Sequence, residues 1–228
     1  MTTATSYEAA QGIAERADER FRSRQSRVHA EADRLFGWLM LGQWAFAIAL
    51  ALFFSPYAWE GRTRTMSPHL PLAVVLGGLL SSLPVFLAFR HPAKPLTRHV
   101  IAASQMLWSA LLIHLTGGRV ETHFHVFGSL AFLSFYRDWR VLLTATVVVA
   151  TEHFLRGMFW PETIYGIANP EWWRFLEHAF WVVFSDAFLT LACIRGVKEM
   201  RELADQGAHM EALAQHAWSE PSVAKAAS

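Results

Sequence analysis

The fold of this chain is decided by the stretch Gly117-Gly118-Arg119-Val120-Glu121-Thr122-His123-Phe124-His125. Its two glycines end one apolar run, and its two histidines open the next. Of the 228 residues, 53% are hydrophobic and 17% are charged. Several apolar runs approach the ~20 residues that cross a bilayer as a helix. This composition predicts an integral membrane protein, with the lipid bilayer as its surroundings.

Six apolar runs extend outward from this stretch. They cover residues 36–54, 70–89, 99–116, 123–136, 141–155 and 173–194. Only Arg137–Arg140 separate the fourth run from the fifth, which predicts a tight helical hairpin. The fold class we predict is all-α, a polytopic membrane bundle of six transmembrane helices. The fourth and fifth runs are shorter than a full span, so a four-span alternative stays open.

Lysine and arginine are distributed unequally between the two ends of these runs. With a cytoplasmic N-terminus, the inner side carries an arginine-rich tail together with Arg90, Lys94, Arg98, Arg137, Arg140, Arg195, Lys198 and Arg201. The outer side carries Arg62, Arg64, Arg119, Arg156 and Arg174. Cytoplasmic loops are enriched in these cations, so we expect both termini to be cytoplasmic.

The ends of the chain are polar. Residues 1–35 predict an amphipathic helix that lies on the inner membrane surface or in the cytoplasm. Residues 36–194 form the predicted transmembrane sensor domain, and we expect no second domain after it. Residues 195–217 predict a cytoplasmic signalling helix with a weak heptad pattern, either a parallel coiled coil between two copies or a solvated helix. Residues 218–228 are expected to be disordered.

Five histidines fall at the ends of apolar runs that the predicted topology brings to the outer side. They are His114, His123, His125, His153 and His178, and Glu121, Glu152 and Glu177 accompany them at the same level. Ionisable groups at membrane depth are costly and mark functional sites. Imidazole is also a common ligand of zinc, copper and iron. The pattern predicts a metal site, with interfacial anchoring as the plainer interpretation of each residue.

Helix geometry limits which of these groups act together. Residues two apart point nearly opposite ways, so His123 and His125 share a ligand only where the helix has not yet begun. Glu152–His153 and Glu177–His178 are adjacent pairs about 100° apart on their helices. In each pair, one member is expected to bind the metal while the other accepts a hydrogen bond from a ring.

Asp186 lies near the middle of the sixth run. A carboxyl group there needs a partner, for which the sequence offers Ser185, a hydroxyl on another helix or a trapped water. We expect Asp186 either to relay a change from the outer site to the cytoplasmic helix or to hydrogen-bond two helices together.

Several classes of function lack support in the sequence. The single cysteine, Cys193, excludes an intramolecular disulfide and a multi-cysteine metal site. No phosphate-binding loop, zinc-protease motif or nucleophile elbow is present. We therefore expect no catalytic residues and no nucleic-acid partner, although the enzyme question stays open.

Three blocks carry a resemblance to a known family: residues 112–127, residues 135–140 with the letters FYRDWR, and residues 152–161 with EHFLRGMFWP. They resemble the N-terminal multi-span membrane module of bacterial hybrid sensor histidine kinases, over roughly residues 70–200. The resemblance implies a bacterial inner (cytoplasmic) membrane location, a two-component system and a cytoplasmic signalling domain or partner protein. The phosphoacceptor helix and ATP-binding domain of such kinases are absent from this sequence.

The leading hypothesis is a homodimeric membrane sensory module. It binds a copper, zinc or iron ion, or haem, through His123, His125, His153 and His178, with His114 and the glutamates as further ligands or supports. The alternatives are an intramembrane metalloenzyme, a metal-free pH or small-molecule sensor, and a small transporter.

Overall fold

The computed structural model describes residues 2–54, 57–60, 63–66, 69–167, 169–171 and 173–219. The helices are α1 (Thr2–Phe54), α2 (His69–Pro71), α3 (Gly77–Arg90), α4 (Pro95–Leu115), α5 (Val120–Leu133), α6 (Trp139–Phe159), α7 (Glu162–Tyr165) and α8 (Arg174–Ser219). A π-helical turn, Leu72–Leu76, joins α2 to α3, and a 3₁₀ turn, Ser134–Tyr136, follows α5. The strands β1 (Tyr57–Glu60) and β2 (Thr63–Met66) form a small antiparallel hairpin, and the rest of the fold is helical, as predicted.

Four helices in the described part of the chain are long and apolar enough to cross a membrane. They lie within Tyr7–Phe53, His69–Arg90, Trp139–Phe159 and Arg174–Trp218. The helices α4 and α5, which coincide with the third and fourth apolar runs, are not among them. The reason for α5 is its length of 14 residues. The structure thus shows four membrane-length helices, and neither the count of six nor the orientation of the termini is shown.

The helix α4 lies at the centre of the bundle. It packs against α3, α5 and α6, and its Ile101, Trp108 and Ile113 side chains are fully buried. Because other helices surround it, α4 can carry buried polar residues such as Gln105 and Ser109. This central position accommodates polar residues within an otherwise apolar helix.

Local signals in the sequence set where the helices of the bundle begin and end. Pro95 occupies the first turn of α4, where its missing N–H costs nothing. Gly117 (φ 69°) ends α4, with the N–H of Gly118 bonded to the carbonyl of Ile113 at 2.9 Å, which forms a Schellman cap. The Asp138 side chain accepts a hydrogen bond from the Arg140 N–H and begins α6, so the α5–α6 hairpin is tight, as predicted.

Hydrogen bonds to Asp33 join α1 to the loop between α3 and α4 and to the turn that follows α5. The Tyr136 hydroxyl donates to Asp33 Oδ1 at 2.8 Å, and the Ala93 N–H donates to Asp33 Oδ2 at 2.6 Å. The Tyr136 ring also stacks on Phe36, with centroids 5.7 Å apart. Asp33 is fully buried, so these bonds supply the partners that its carboxylate needs.

The described residues of 1–27 and 195–228 form a second compact unit, whereas residues 28–194 form the bundle. In the second unit, Ala17, Met200, Ala204 and Ala208 are buried. Arg20 and Glu211 form an ion pair at 2.7 Å. The heptad pattern places Met200, Leu203, Met210, Ala214 and Ala217 on a seam between two copies. Leu203 and Met210 are exposed in the single chain, whereas Met200 is buried within it. The intermolecular coiled coil therefore stays a prediction.

The loop between α4 and α5 packs tightly against the end of α7. Gly118 has a φ of 76°, and a Cβ added to it would lie 2.6 Å from the Gly166 nitrogen and 2.7 Å from the Ile164 oxygen. Gly117, beside it, has a φ of 69°, but a Cβ there would meet no atom within 4 Å. Both positions favour glycine through their backbone conformation, and Gly118 also requires it for space.

This pair supports a direct test of loop packing. We expect Gly118→Ala to lower the thermal unfolding midpoint of the detergent-purified protein clearly more than Gly117→Ala does. Both variants carry the left-handed backbone cost of about 1 kcal/mol, but only Gly118→Ala must also push backbone atoms apart. Circular dichroism at the helical band measures the midpoint. Equal losses in the two variants would contradict the close packing of this loop.

Candidate functional site

Three histidines from three different helices face one another inside the bundle. They are His123 on α5, His153 on α6 and His178 on α8. The ring centroids are 5.8 Å apart for His123 and His153, 5.4 Å for His123 and His178, and 6.3 Å for His153 and His178. We call these three residues the histidine triad.

The backbone fixes the tautomer of all three rings. The Nδ1 atom of each ring lies at hydrogen-bonding distance from the carbonyl oxygen four residues earlier in its own helix. A carbonyl oxygen only accepts, so each Nδ1 carries the proton and each Nε2 presents a lone pair. His123 Nε2 is buried and has no hydrogen-bond partner within the described ranges. The acceptors are Arg119 (3.0 Å), Val149 (3.1 Å) and Arg174 (3.0 Å).

Glu152 and Arg156 support the triad from α6. Glu152 Oε2 lies 2.7 Å from His153 Nδ1, although the ring N–H points to the Val149 carbonyl. The other carboxylate oxygen pairs with the Arg156 guanidinium. Arg156 also donates to the Ala110 carbonyl at 3.1 Å and to the Thr163 carbonyl at 2.8 Å. The Arg156 guanidinium therefore joins α6 to α4 and to α7.

The triad lies between two spaces. A cavity of about 70 Å³ runs among apolar side chains of α5, α6 and α8 and reaches Thr146. A depression of about 330 Å³ borders His153 on the loop side and includes Tyr165 and Gly157. The Tyr165 ring lies 5.4 Å from the His178 ring, and burial raises the pKa of the Tyr165 phenol. Tyr165 is thus a neutral aromatic wall beside His178 at physiological pH.

Asp186 is connected to the 70 Å³ cavity through Thr146, although Asp186 itself is not part of the lining. The Thr146 hydroxyl, which lines that cavity, donates a hydrogen bond to Asp186 Oδ2. Three partners for Asp186 were compatible with the sequence, and the structure shows one of them, a hydroxyl on another helix. Asp186 Oδ1 is buried and finds no hydrogen-bond partner among the described residues. The carboxyl group therefore joins α8 to α6 through Oδ2, while Oδ1 remains available to accept a hydrogen bond.

The structure places the other predicted site residues away from the triad. His125 contacts Gln43 and Ser109 instead, at 2.9 Å and 2.8 Å. The His114 ring packs edge-on against His69, with centroids 5.8 Å apart. The side chains of Glu121 and Glu177 are exposed. The helical rule that separates His123 from His125 therefore holds, and of the predicted glutamates Glu152 is the one beside the triad.

The hydrogen bond between His125 and Gln43 also shows the level of the site. Gln43 lies nearer to Phe36 than to Phe54 in the apolar part of α1. His125, in the first half of α5, is therefore level with the interior of that run and not with its Phe54 end. Sequence position alone predicted the histidines at the outer ends of their helices.

Two groups of functional interest were not singled out from the sequence. Arg156 was assigned only to a loop, although its guanidinium pairs with Glu152 and binds two backbone carbonyls. Gln43, Gln105, Ser109 and Ser129 form a buried polar network beside His125. Polar residues inside apolar runs were the available signal for this network, because such residues need partners in a membrane.

Metal binding by the triad is not shown. Among the described residues, no group of three or more His, Cys, Asp or Glu side chains is placed so that it could hold a metal ion. Three imidazoles bound to one tetrahedral ion through Nε2 would have ring centroids about 5 Å apart. The rings of the triad, at 5.4–6.3 Å, are somewhat more widely spaced and would have to approach one another.

Comparison with known proteins gives one relative of interest. The chain is 28% identical over 169 residues to the transducer protein Htr8 of Halobacterium salinarum. The match covers 68% of this chain but 26% of the relative, so the chain spans about a quarter of that protein's length. No family model matches the chain, and no solved structure matches it.

The contact between Thr146 and Asp186 can be measured by a double-mutant cycle. We expect Thr146→Val to lower the free energy of unfolding by roughly 1–3 kcal/mol, because it leaves a buried carboxyl oxygen without its donor. In an Asp186→Leu background, the same substitution should cost little. Unfolding in mixed detergent, followed by tryptophan fluorescence, gives both values. A coupling energy near zero would show that the hydroxyl and the carboxyl do not interact.

Proposed function

We propose that this chain is a membrane sensory module that passes a signal to a cytoplasmic partner. Two observations support the proposal. Four described helices have the length and composition of membrane spans. A transducer protein shares 28% identity over most of this chain. Because the match covers only a quarter of the relative, the proposal concerns the input part and not the relative's whole activity.

The arrangement we propose has six spans and cytoplasmic termini in a bacterial inner membrane. The helices α4 and α5 complete the six. Other helices surround α4, whereas α5 packs against α4 and α6 and leaves Val120, Phe124 and Phe132 exposed. The excess of lysine and arginine on the inner side supports this orientation. A span as short as α5 is accommodated where the bilayer is locally thinned.

The sensory site that we propose is a metal site at the histidine triad. The observation that carries it is the common tautomer of the three rings, each with Nδ1–H on a carbonyl and Nε2 directed elsewhere. Metal-binding histidines in proteins are held in this way, because the second hydrogen bond orients the ring and raises its basicity. Glu152, beside His153, would add a further orienting charge.

The neighbouring space bears on which cofactor is bound. Copper, zinc and iron ions all accept three imidazole ligands. The cavity beside the triad, at about 70 Å³, has room for an ion and a small ligand. A haem macrocycle is far larger than this cavity. The proposal therefore favours a single ion over haem.

Occupancy of the triad would act on α8. This helix carries His178 and Asp186 and continues to Ser219. A ligand shifts a two-state equilibrium only if it binds the two states differently, and closure of the triad on an ion would favour one position of α8. We propose that a homodimer, or a cytoplasmic signalling protein, receives this change through residues 195–217.

Elemental analysis of the detergent-purified protein tests the metal site. We expect about one copper, zinc or iron ion per chain in the wild type, and a loss of at least tenfold in affinity in His123→Ala, His153→Ala and His178→Ala. His125→Ala is the matched control, since its ring lies with Gln43 and Ser109. This control should retain the metal.

Two results would contradict the metal proposal. One is a wild-type protein without metal that also takes up none when the ion is added. The other is equal loss of metal in His125→Ala and in the triad variants. Size-exclusion profiles of each variant must match the wild type, so that unfolding is not mistaken for loss of a ligand.

A metal-free pH sensor is the second candidate, and the contact between Glu152 and His153 favours it. The Glu152 carboxylate, 2.7 Å from a ring nitrogen of His153, places a negative charge beside the three imidazoles of the triad. The same three rings would then act as titrating groups whose mutual repulsion spreads the triad apart.

Chelator-treated protein distinguishes the two candidates. If protons are the stimulus, acidification should change the protease sensitivity of residues 195–217 without any metal, and Glu152→Gln and His153→Ala should both weaken that change. Glu177→Gln, whose carboxyl is exposed, is the control. A pH response that appears only after metal is restored would remove the pH sensor and leave the metal site.

A further inference from the structure

A groove on the side of the bundle away from the triad is formed by α1, α4 and α5. Its volume is about 510 Å³, within the range of ligand sites in proteins. Most of its lining is apolar, and two polar side chains, Gln43 and His125, lie in it. The lining residues are Leu35, Trp38, Leu39, Gly42, Gln43 and Phe46 of α1, with Leu112 and His125.

A network of hydrogen bonds fixes the polar part of this groove. The Ser109 hydroxyl donates to the Gln105 carbonyl at 3.2 Å, so its oxygen accepts from His125 Nδ1 at 2.8 Å. His125 Nε2 is then an acceptor, and the Gln43 amide donates to it at 2.9 Å. The NH₂ group of Gln43 thus faces the ring, and its Oε1 is directed elsewhere.

Two amide oxygens of this network, Gln43 Oε1 and Gln105 Oε1, are buried and have no hydrogen-bond partner among the described residues. Of the two residues, only Gln43 lines the groove. The whole Gln43 residue is only 7% exposed. A buried acceptor without a partner costs roughly 1–3 kcal/mol, so a native site of this kind implies a donor that binds there.

The mouth of the groove indicates the route by which a ligand arrives. Leu35, Trp38 and Phe46 line it and are 50%, 66% and 58% exposed. They belong to α1, and Trp38 and Phe46 lie within its apolar run, which in a membrane would face lipid. A molecule that reaches Gln43 by this route must therefore dissolve in the hydrocarbon layer.

We propose that this groove binds a lipid-soluble molecule with an apolar body and one hydroxyl group, such as a long-chain phenol. The hydroxyl donates to Gln43 Oε1, and the apolar body lies along Trp38, Leu39 and Phe46. An acyl chain of a phospholipid fills the same volume, but it has no donor for the amide oxygen. The proposal does not depend on metal binding at the triad, because the two sites share no residue.

The test uses full-length protein in phosphatidylcholine nanodiscs and tritiated 4-nonylphenol as the probe. Its methyl ether, 4-nonylanisole, has the same body and no donor, and serves as a competitor. We expect saturable binding of the phenol by the wild type and at least tenfold weaker competition by the ether. That factor corresponds to about 1.4 kcal/mol, the scale of one hydrogen bond.

Substitutions of the adjacent residues Gln43 and Gly42 distinguish the contribution of the hydrogen bond from that of the free volume of the groove. Gln43→Leu removes the acceptor at similar size, so the phenol should bind about tenfold more weakly and no better than the ether. Gly42→Leu fills the groove, since a Cβ at Gly42 meets no atom within 4 Å and leaves the network intact. Binding should then be lost. Gly12→Leu, another open position of α1 outside the groove, is the control and should bind as the wild type does.

Several outcomes would overturn the proposal. They are the absence of saturable binding by the wild type, equal binding of the phenol and the ether, and unchanged binding in Gly42→Leu. If Gln43→Leu fails to fold, Gly42→Leu and the ether still decide the question. Rapid disulfide formation between copies of a Trp38→Cys variant, with Cys193 replaced by Ser, would show that a second copy covers the groove, and would also overturn the proposal.

Discussion

The need of buried polar groups for hydrogen-bond partners shapes this bundle, and the atoms that lack a partner lie at its candidate sites. In the histidine triad, the backbone satisfies the ring N–H groups, because each of them uses the carbonyl four residues earlier. No side chain from a neighbouring helix is then needed to orient the rings. The three helices can shift relative to one another while each imidazole keeps its tautomer and its direction.

In the last turn of α6, a charged group satisfies several acceptors. Arg156 pairs with Glu152 and donates to two backbone carbonyls, and it thereby joins α6 to α4 and to α7. Gly118 brings the α4–α5 loop against that same segment, where a side chain would not fit. The triad therefore lies under a connected set of loops, whereas the groove near Gln43 is open to the side. One bundle thus offers two environments, one bordered by the loops and one by lipid.

Much of the fold could be predicted from local patterns. The glycine stop after α4 and the short connection at residues 137–140 lie where the sequence indicated, because these signals act within a few residues. The partners of His123 and His125 could not be predicted, since they depend on which helices pack together and on the level of each helix. Nor could the continuity of α1 from Thr2 to Phe54 be foreseen, because its charged and apolar parts differ in composition while both favour a helix. Arg156 was overlooked for a related reason, because it lies in the last turn of α6, beyond the fifth apolar run, and its partners belong to other helices.

The fixed tautomer of the triad has an electrostatic consequence. Three neutral rings contribute no negative charge, and the carboxylate beside them, Glu152, already balances Arg156. An ion held there would keep its full positive charge in a region of low permittivity. The field of that charge would extend along the apolar cavity toward Asp186, which has one unpaired oxygen. Arrival of the ion would thus change the local electrostatic potential at Asp186, in addition to drawing the rings together.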